Sequence, residues 1–166
     1  MSLDGVGPDT FRLLLGSFPS GVTVLTTRHP DGTPLGMTAS AFCSVSLDPP
    51  LVLVCVGLAS GLVDALRARP HFAVNILADD QETLSEQFAG ERTSRFTGVG
   101  LALADGDDLP LLSGTAGWLR CETTDVLPGG DHAIFLARVL DGATFPRAPL
   151  IHCRGAYGRL APESTG

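Results

Sequence analysis

Arg92 and Arg95, three positions apart, and Ser60-Gly61, just ahead of a periodic apolar stretch, are the residues best suited to hold an anion. Arginine forks match phosphate bidentately, and a helix start adds free N–H groups at the favourable end of its dipole. All 11 basic residues are arginine, because the chain has no lysine. Any phosphate therefore falls to arginines, hydroxyls and backbone N–H groups. A plain serine cap and a solvated arginine pair are the structural alternatives. His132 follows Gly130-Asp131 at the start of an alternating stretch, so its ring shares a face with Ile134, Leu136 and Arg138.

Motifs that would bring their own chemistry are missing. Gly98-Val99-Gly100 continues as Leu101-Ala102-Leu103, which is not the dinucleotide fingerprint, and a chain without lysine has no Walker phosphate loop. No G-x-S-x-G elbow or H-E-x-x-H pair occurs, and His29, His71, His132 and His152 are scattered. Cys43, Cys55, Cys121 and Cys153 form no C-x-x-C pair and sit in apolar or alternating segments, which predicts buried reduced thiols and no metal site. Such a chain reacts through a bound organic cofactor.

The 166 residues fit a single domain, 1–166, with a core over about 11–160. Apolar residues make up 44% and charged ones 17%, below the roughly 25% charged of an average soluble domain. That balance predicts an apolar surface beyond the chain's own core. A formal charge of −7 argues against a nucleic-acid partner. No apolar run approaches the roughly 20 residues of a membrane span, and Met1-Ser2-Leu3-Asp4 lacks the features of a secretory leader, so a cytoplasmic protein is expected.

The elements that must position these residues follow from periodicity. Phe11, Leu14, Leu15 and Phe18 predict an opening amphipathic helix behind Pro8-Asp9. Val22–Thr27 reads as a strand, Pro30-Asp31-Gly32 as a turn, and Gly36–Leu47 as a return strand of small and hydroxyl residues that something else could approach closely. Leu51–Val56 reads as a strand buried on both faces. A capped helix from Ser60 to Pro70 and a strand over His71–Leu77 come next, then a helix opened by an Asp79–Glu82 capping box and closed near Ala89-Gly90. Trp118–Val126, His132–Leu140 and Pro149–Leu160 complete the strands, and Met1–Gly7 and Ala161–Gly166 read as frayed ends. Many strands with few helices, and no regular alternation, predict a mainly β fold with peripheral helices.

The segments Phe18–Thr27 and Gly36–Leu51 together resemble the flavin reductase family, the small components of two-component monooxygenases. Phe72–Leu77 with Gln81, Phe88-Ala89, Arg95-Phe96, Gly130-Asp131-His132 and Gly155-Ala156-Tyr157 follow in the family's order. The resemblance implies a split β-barrel of the FMN-binding type, working as a homodimer with the flavin near the subunit interface. It implies an NAD(P)H-dependent reductase that moves hydride from nicotinamide C4 of NADH or NADPH to N5 of FMN or FAD. Reduced flavin then passes to a partner monooxygenase.

Carried over by position, Met37, Thr38, Ala39, Ser40 and Ser44 belong to the strand that contacts the flavin. Ser60, Gly61, Arg92, Arg95 and Phe96 belong to its phosphate end, and His132 lies near flavin and nicotinamide as the candidate catalytic residue. Gly61-Leu62 stand where the family often has further hydroxyls, a departure Arg92 and Arg95 could compensate. Two other readings remain: a non-catalytic flavin- or haem-binding barrel, and an oxidoreductase whose tightly held flavin acts on a small organic substrate.

Overall fold

The computed structural model describes residues 5–102 and 109–161. The chain opens with α1 (Pro8–Gly16), β1 (Ser20–Gly21), β2 (Thr23–Arg28), β3 (Pro34–Ala39), β4 (Phe42–Leu47) and β5 (Pro50–Gly57). Then come α2 (Val63–Ala68), β6 (His71–Ile76), α3 (Glu82–Ala89), β7 (Leu101–Ala102), β8 (Leu111–Leu112), β9 (Gly117–Gly129), β10 (His132–Thr144), β11 (Ile151–Cys153) and β12 (Ala156–Gly158).

Seven strands form one antiparallel sheet in the order β3-β2-β6-β9-β10-β5-β4. β3 and β4 occupy opposite edges although only Ser40-Ala41 separates them in sequence. Three peptide steps reach at most ~11 Å, so this link draws the edges together and rolls the sheet into a barrel split along β3 and β4. The turn is fixed by Phe42 N donating to Ser40 O (3.0 Å) and Cys55 N to Ala41 O (2.9 Å). The single strand expected over Gly36–Leu47 is therefore two strands at the two edges of the split. The mainly β, split-barrel fold itself is as expected.

Alternation along the strands sorts side chains into two apolar layers. Inside the barrel, Leu25, Val52, Val54, Val56, Phe72, Val74 and Phe135 pack with Leu62, Val63 and Leu66 from the α2 region. On the other side of β2, Val22 and Val24 pack with Leu77, Phe88, Leu112 and Leu150. Each such large side chain contributes about 1.5–3 kcal/mol on burial. Buried Asn75 links β2 to β8: its Nδ2 donates to Val24 O (3.0 Å), and its Oδ1 accepts from Leu112 N (2.8 Å).

Four local expectations change. β5 is buried on one face only: Val52, Val54 and Val56 point inward, while Leu51, Leu53 and Cys55 are half-buried on the outside. Pro149–Leu160 is a hairpin of β11 and β12, turned at Arg154-Gly155, both with positive φ, and joined to β1. Helix α3 has no capping box, because Asp80 pairs with Arg147 (2.5 Å) and Asp79 lies 3.7 Å from Arg159. Of the thiols expected to be buried, only Cys121 is; Cys55 and Cys153 are half-buried and Cys43 is exposed.

The opening helix forms as expected but buries none of its residues, leaving Phe11 and Leu13 exposed. Among the described residues no helix is long and apolar enough to cross a membrane. The segments read as frayed lie partly outside the described residues.

Candidate functional site

A small cleft of about 20 Å³ opens beside β3, lined by Pro34, Leu35, Gly36, Ser60, Gly61, Leu62, Arg92, Arg95 and Phe96. Five residues expected at a phosphate end thus converge from two segments 30 residues apart in sequence.

Their positions have local causes. Gly61 adopts a left-handed conformation (φ +71°) at the entry to α2, where a Cβ would lie 2.6 Å from Arg92 Cζ. Glycine is therefore required both by the backbone and by the guanidinium lying against it. Ser60 Oγ accepts from Leu62 N (3.2 Å), so the hydroxyl steadies the turn itself.

Across the cleft the Arg92–Phe96 loop is held by polar anchors. Gln87 Nε2 donates to the carbonyls of Ser94, Arg95 and Thr97 at 3.0–3.1 Å. Arg95 donates from Nη1 to Gly36 O (2.7 Å) and from Nε and Nη2 to Gly90 O (3.1 and 2.9 Å). Phe96 meets Phe88 edge-on with ring centroids 4.9 Å apart.

Gly36 is buried because a Cβ there would lie 2.8 Å from both Leu25 O and Phe88 Cε1. Gly36 and Gln87 were not singled out from the sequence. A glycine in a strand of small residues hints at close approach, but nothing in the sequence marks Gln87 as the clamp of this loop.

The electrostatics favour an anion. Burial first, and then the charge of Arg92, pull Arg95 below the usual guanidinium range. Arg92 makes no hydrogen bond or ion pair with any described residue. Two like charges share the cleft, and one of them has all its donors to offer, which suits a phosphate group.

The residues expected to contact the flavin run along the split. Gly36 turns its carbonyl to the open edge of β3, and strand alternation turns the backbone groups of Thr38 the same way. Met37 and Thr38 are half-buried, Ala39 is buried and Ser40 exposed. The Thr38 hydroxyl is already engaged, donating to Ser85 O (2.6 Å). Ser44 is exposed on β4, across the split.

His132 does not line the cleft. It starts β10 opposite Gly57, three residues before Ser60, and its ring lies over Gly57, where a Cβ would be 3.7 Å from Nε2. Its Nδ1 pairs with Asp131 Oδ1 at 2.7 Å. That hydrogen bond, and then the imidazole charge, hold the Asp131 carboxyl below its ordinary range.

A barrel split beside a guanidinium-lined cleft suits a phosphate-bearing ligand laid along β3. Residues 15–161 match the profile described as a flavin reductase like domain, and the chain belongs to that family. The chain is 40% identical over 161 residues to a flavin reductase (NADH) of Kitasatospora aureofaciens, covering 95% of this chain and 84% of that one. The reductase component of a flavin-dependent trigonelline monooxygenase from Acinetobacter baylyi is 43% identical over 154 residues, 93% of this chain. This chain spans 49% of that relative, about half its length. Among solved structures, the NADH:FAD oxidoreductase of Streptomyces globisporus in complex with NAD and FAD fragments superimposes with a TM-score of 0.89. It shares 38% identity, with 97% and 99% of the two chains covered.

Proposed function

We propose that this chain is an NAD(P)H-dependent flavin reductase that supplies reduced FMN or FAD to a partner monooxygenase. The observation that carries the reading is the unpaired Arg92 guanidinium over Gly61, beside Arg95, at the end of a strand edge open to a flat ring. Arg92, Arg95 and the Ser60-Gly61 turn hold the phosphate. Met37 to Ser40 present backbone groups to the ring edge, and Ser44 faces it across the split. Family membership and relatives named as NADH-dependent reductases support the donor.

When bound, the flavin supplies the hydride acceptor and the nicotinamide the hydride donor. The protein's part is placement. It fixes the phosphate, aligns the ring along β3, and leaves one ring face open for the nicotinamide. His132, its Nδ1 occupied by Asp131, offers Nε2 for orienting the incoming nicotinamide; no proton transfer from the protein is required.

The working unit is a homodimer, in the cytoplasm. The outer face of β5 and β10, with Leu53 beside Leu136 and Cys55 beside Ile134, is apolar and only half-covered by its own chain. A second copy laid there buries it, and accounts for a segment whose sequence looks buried on both faces.

The test is NADH and NADPH oxidation by the purified protein with and without added FMN or FAD. Flavin-dependent oxidation is expected. Flavin binding without oxidation by either donor favours the non-catalytic barrel. His132→Ala is expected to raise KM for the nicotinamide more than it lowers kcat, with the fold intact; unchanged kinetics contradict its assigned place.

A further inference from the structure

Gly155-Ala156-Tyr157 is among the segments that carry the family resemblance, but it does not line the cleft. The structure gives its tyrosine another place. Arg154 and Gly155, at φ 52° and 76°, turn β11 into β12, and Tyr157 lays its ring against the layer of Val22, Leu77 and Phe88. His152, directly opposite on β11, meets that ring edge-on with centroids 5.5 Å apart. The Tyr157 hydroxyl donates to Ser85 Oγ at 2.9 Å. Ser85 is fully buried on α3, where a hydroxyl needs a partner, and Tyr157 supplies it.

Ser85 is also where α3 grips β3. Its carbonyl accepts from Thr38 Oγ1 (2.6 Å), about one turn before Phe88, which lies against Gly36. The two ends of this contact are secured differently. At Gly36 a packed ring and the Arg95 guanidinium both hold the strand, whereas Thr38 is held to α3 by its hydrogen bond to Ser85. Thr38 turns its backbone groups to the open edge of β3, where no neighbouring strand fixes them.

We propose that Tyr157 is a positioning residue for flavin reduction: through the Ser85 hydroxyl it fixes α3 against Thr38, and so sets the strand edge that meets the flavin ring. The inference rests on the flavin reading above and adds to it a residue outside the cleft. A loosened edge changes the hydrogen bonds to the ring and leaves the Arg92 guanidinium where it is. The ring is then misplaced for hydride transfer, which depends on orientation.

Titration of the purified full chain with FMN and with riboflavin, followed by fluorescence and by the absorption spectrum of the bound ring, tests this. Tyr157→Phe keeps the packed ring and removes one hydroxyl. It is expected to weaken both ligands by the same factor, about fivefold, the scale of one lost hydrogen bond, and to move the bound spectrum toward that of free flavin. Ser85→Ala breaks the same link, so it gives the same change, and the double variant adds nothing to either single one. Thr38→Val reaches the contact from the other end and gives the spectral shift even where Tyr157→Phe fails to fold. A general loss of stability would not give an equal factor for the two ligands together with that shift. Unaltered affinity and spectrum in a folded Tyr157→Phe or in Thr38→Val, additive effects in the double variant, or a loss confined to FMN overturn the proposal and leave the flavin reading standing. Failure of the unaltered protein to bind either ligand overturns that reading, and this inference with it.

Discussion

The cleft beside β3 and the outer face of β5 and β10 are held in opposite ways. At the cleft the walls are fixed by directional contacts, Arg95 on two carbonyls and Gln87 on three, while Gly61 leaves room for the Arg92 guanidinium against it. The outer face has almost none of these; Leu53, Leu136 and Ile134 are simply half-covered. Polar anchors specify a geometry for one ligand, whereas an apolar face specifies only that something apolar must cover it. The first draws its contacts from one chain, and the second is the face on which the proposed homodimer would close.

Disturbing the packing behind the cleft gives the largest effect. Phe88→Ala removes a fully buried ring that supports both Gly36 and Phe96, and is expected to cost about 3–5 kcal/mol of stability. Chemical denaturation measures it, and flavin affinity should fall with it as the Arg92–Phe96 loop loosens. A loss in stability with unchanged flavin binding would detach the loop from the cleft.

The outer face responds to a charge instead. Leu53→Asp places a carboxylate in the centre of the apolar surface without touching the barrel interior. Burying it unpaired costs several kcal/mol, so sedimentation should show the dimer replaced by monomer. A dimer that persists would locate the interface elsewhere.

The smallest effect sits at the Asp131–His132 pair between the two regions. The folded Asp131 pKa lies below its ordinary value of 3.8, because His132 donates to the carboxylate and adds its charge. Its contribution to stability is therefore complete above that ordinary value and is lost as pH falls through the lower folded one. Asp131→Asn should lower stability slightly near neutral pH, leave it unchanged below the folded Asp131 pKa, and so flatten the fall under acid. A loss that is the same at neutral and acid pH would show that charge is not involved.

The contrast between the regions also explains what could be read from the sequence. Val22, Val24, Phe72 and Phe135 follow alternation that any strand must show, so the barrel strands were legible. The residues proposed to hold the anion were legible as types, since a chain without lysine leaves few candidates. Their convergence was not, because Gly61 and Arg92 meet only through the rolled sheet. The Ser40-Ala41 break was hidden for a related reason: small residues run on through it without a change of pattern. The Leu51–Val56 run looked buried on both faces because it is apolar throughout, while one chain covers only its inner face. Gln87 carried no local signal, since a helical glutamine is ordinarily solvated.

The most direct test of the central claim, that the Gly61–Arg92–Arg95 cleft holds the flavin phosphate, compares FMN with riboflavin. Titration of the unaltered protein and of Arg92→Gln isolates the phosphate, since the two ligands otherwise share ring and ribityl chain. FMN is expected to bind about tenfold or more tightly than riboflavin, as charge-assisted hydrogen bonds of ~1.5–3 kcal/mol imply, with most of that advantage lost in the variant. Equal binding of FMN and riboflavin to the unaltered protein, or an FMN advantage that survives Arg92→Gln undiminished, would contradict the account.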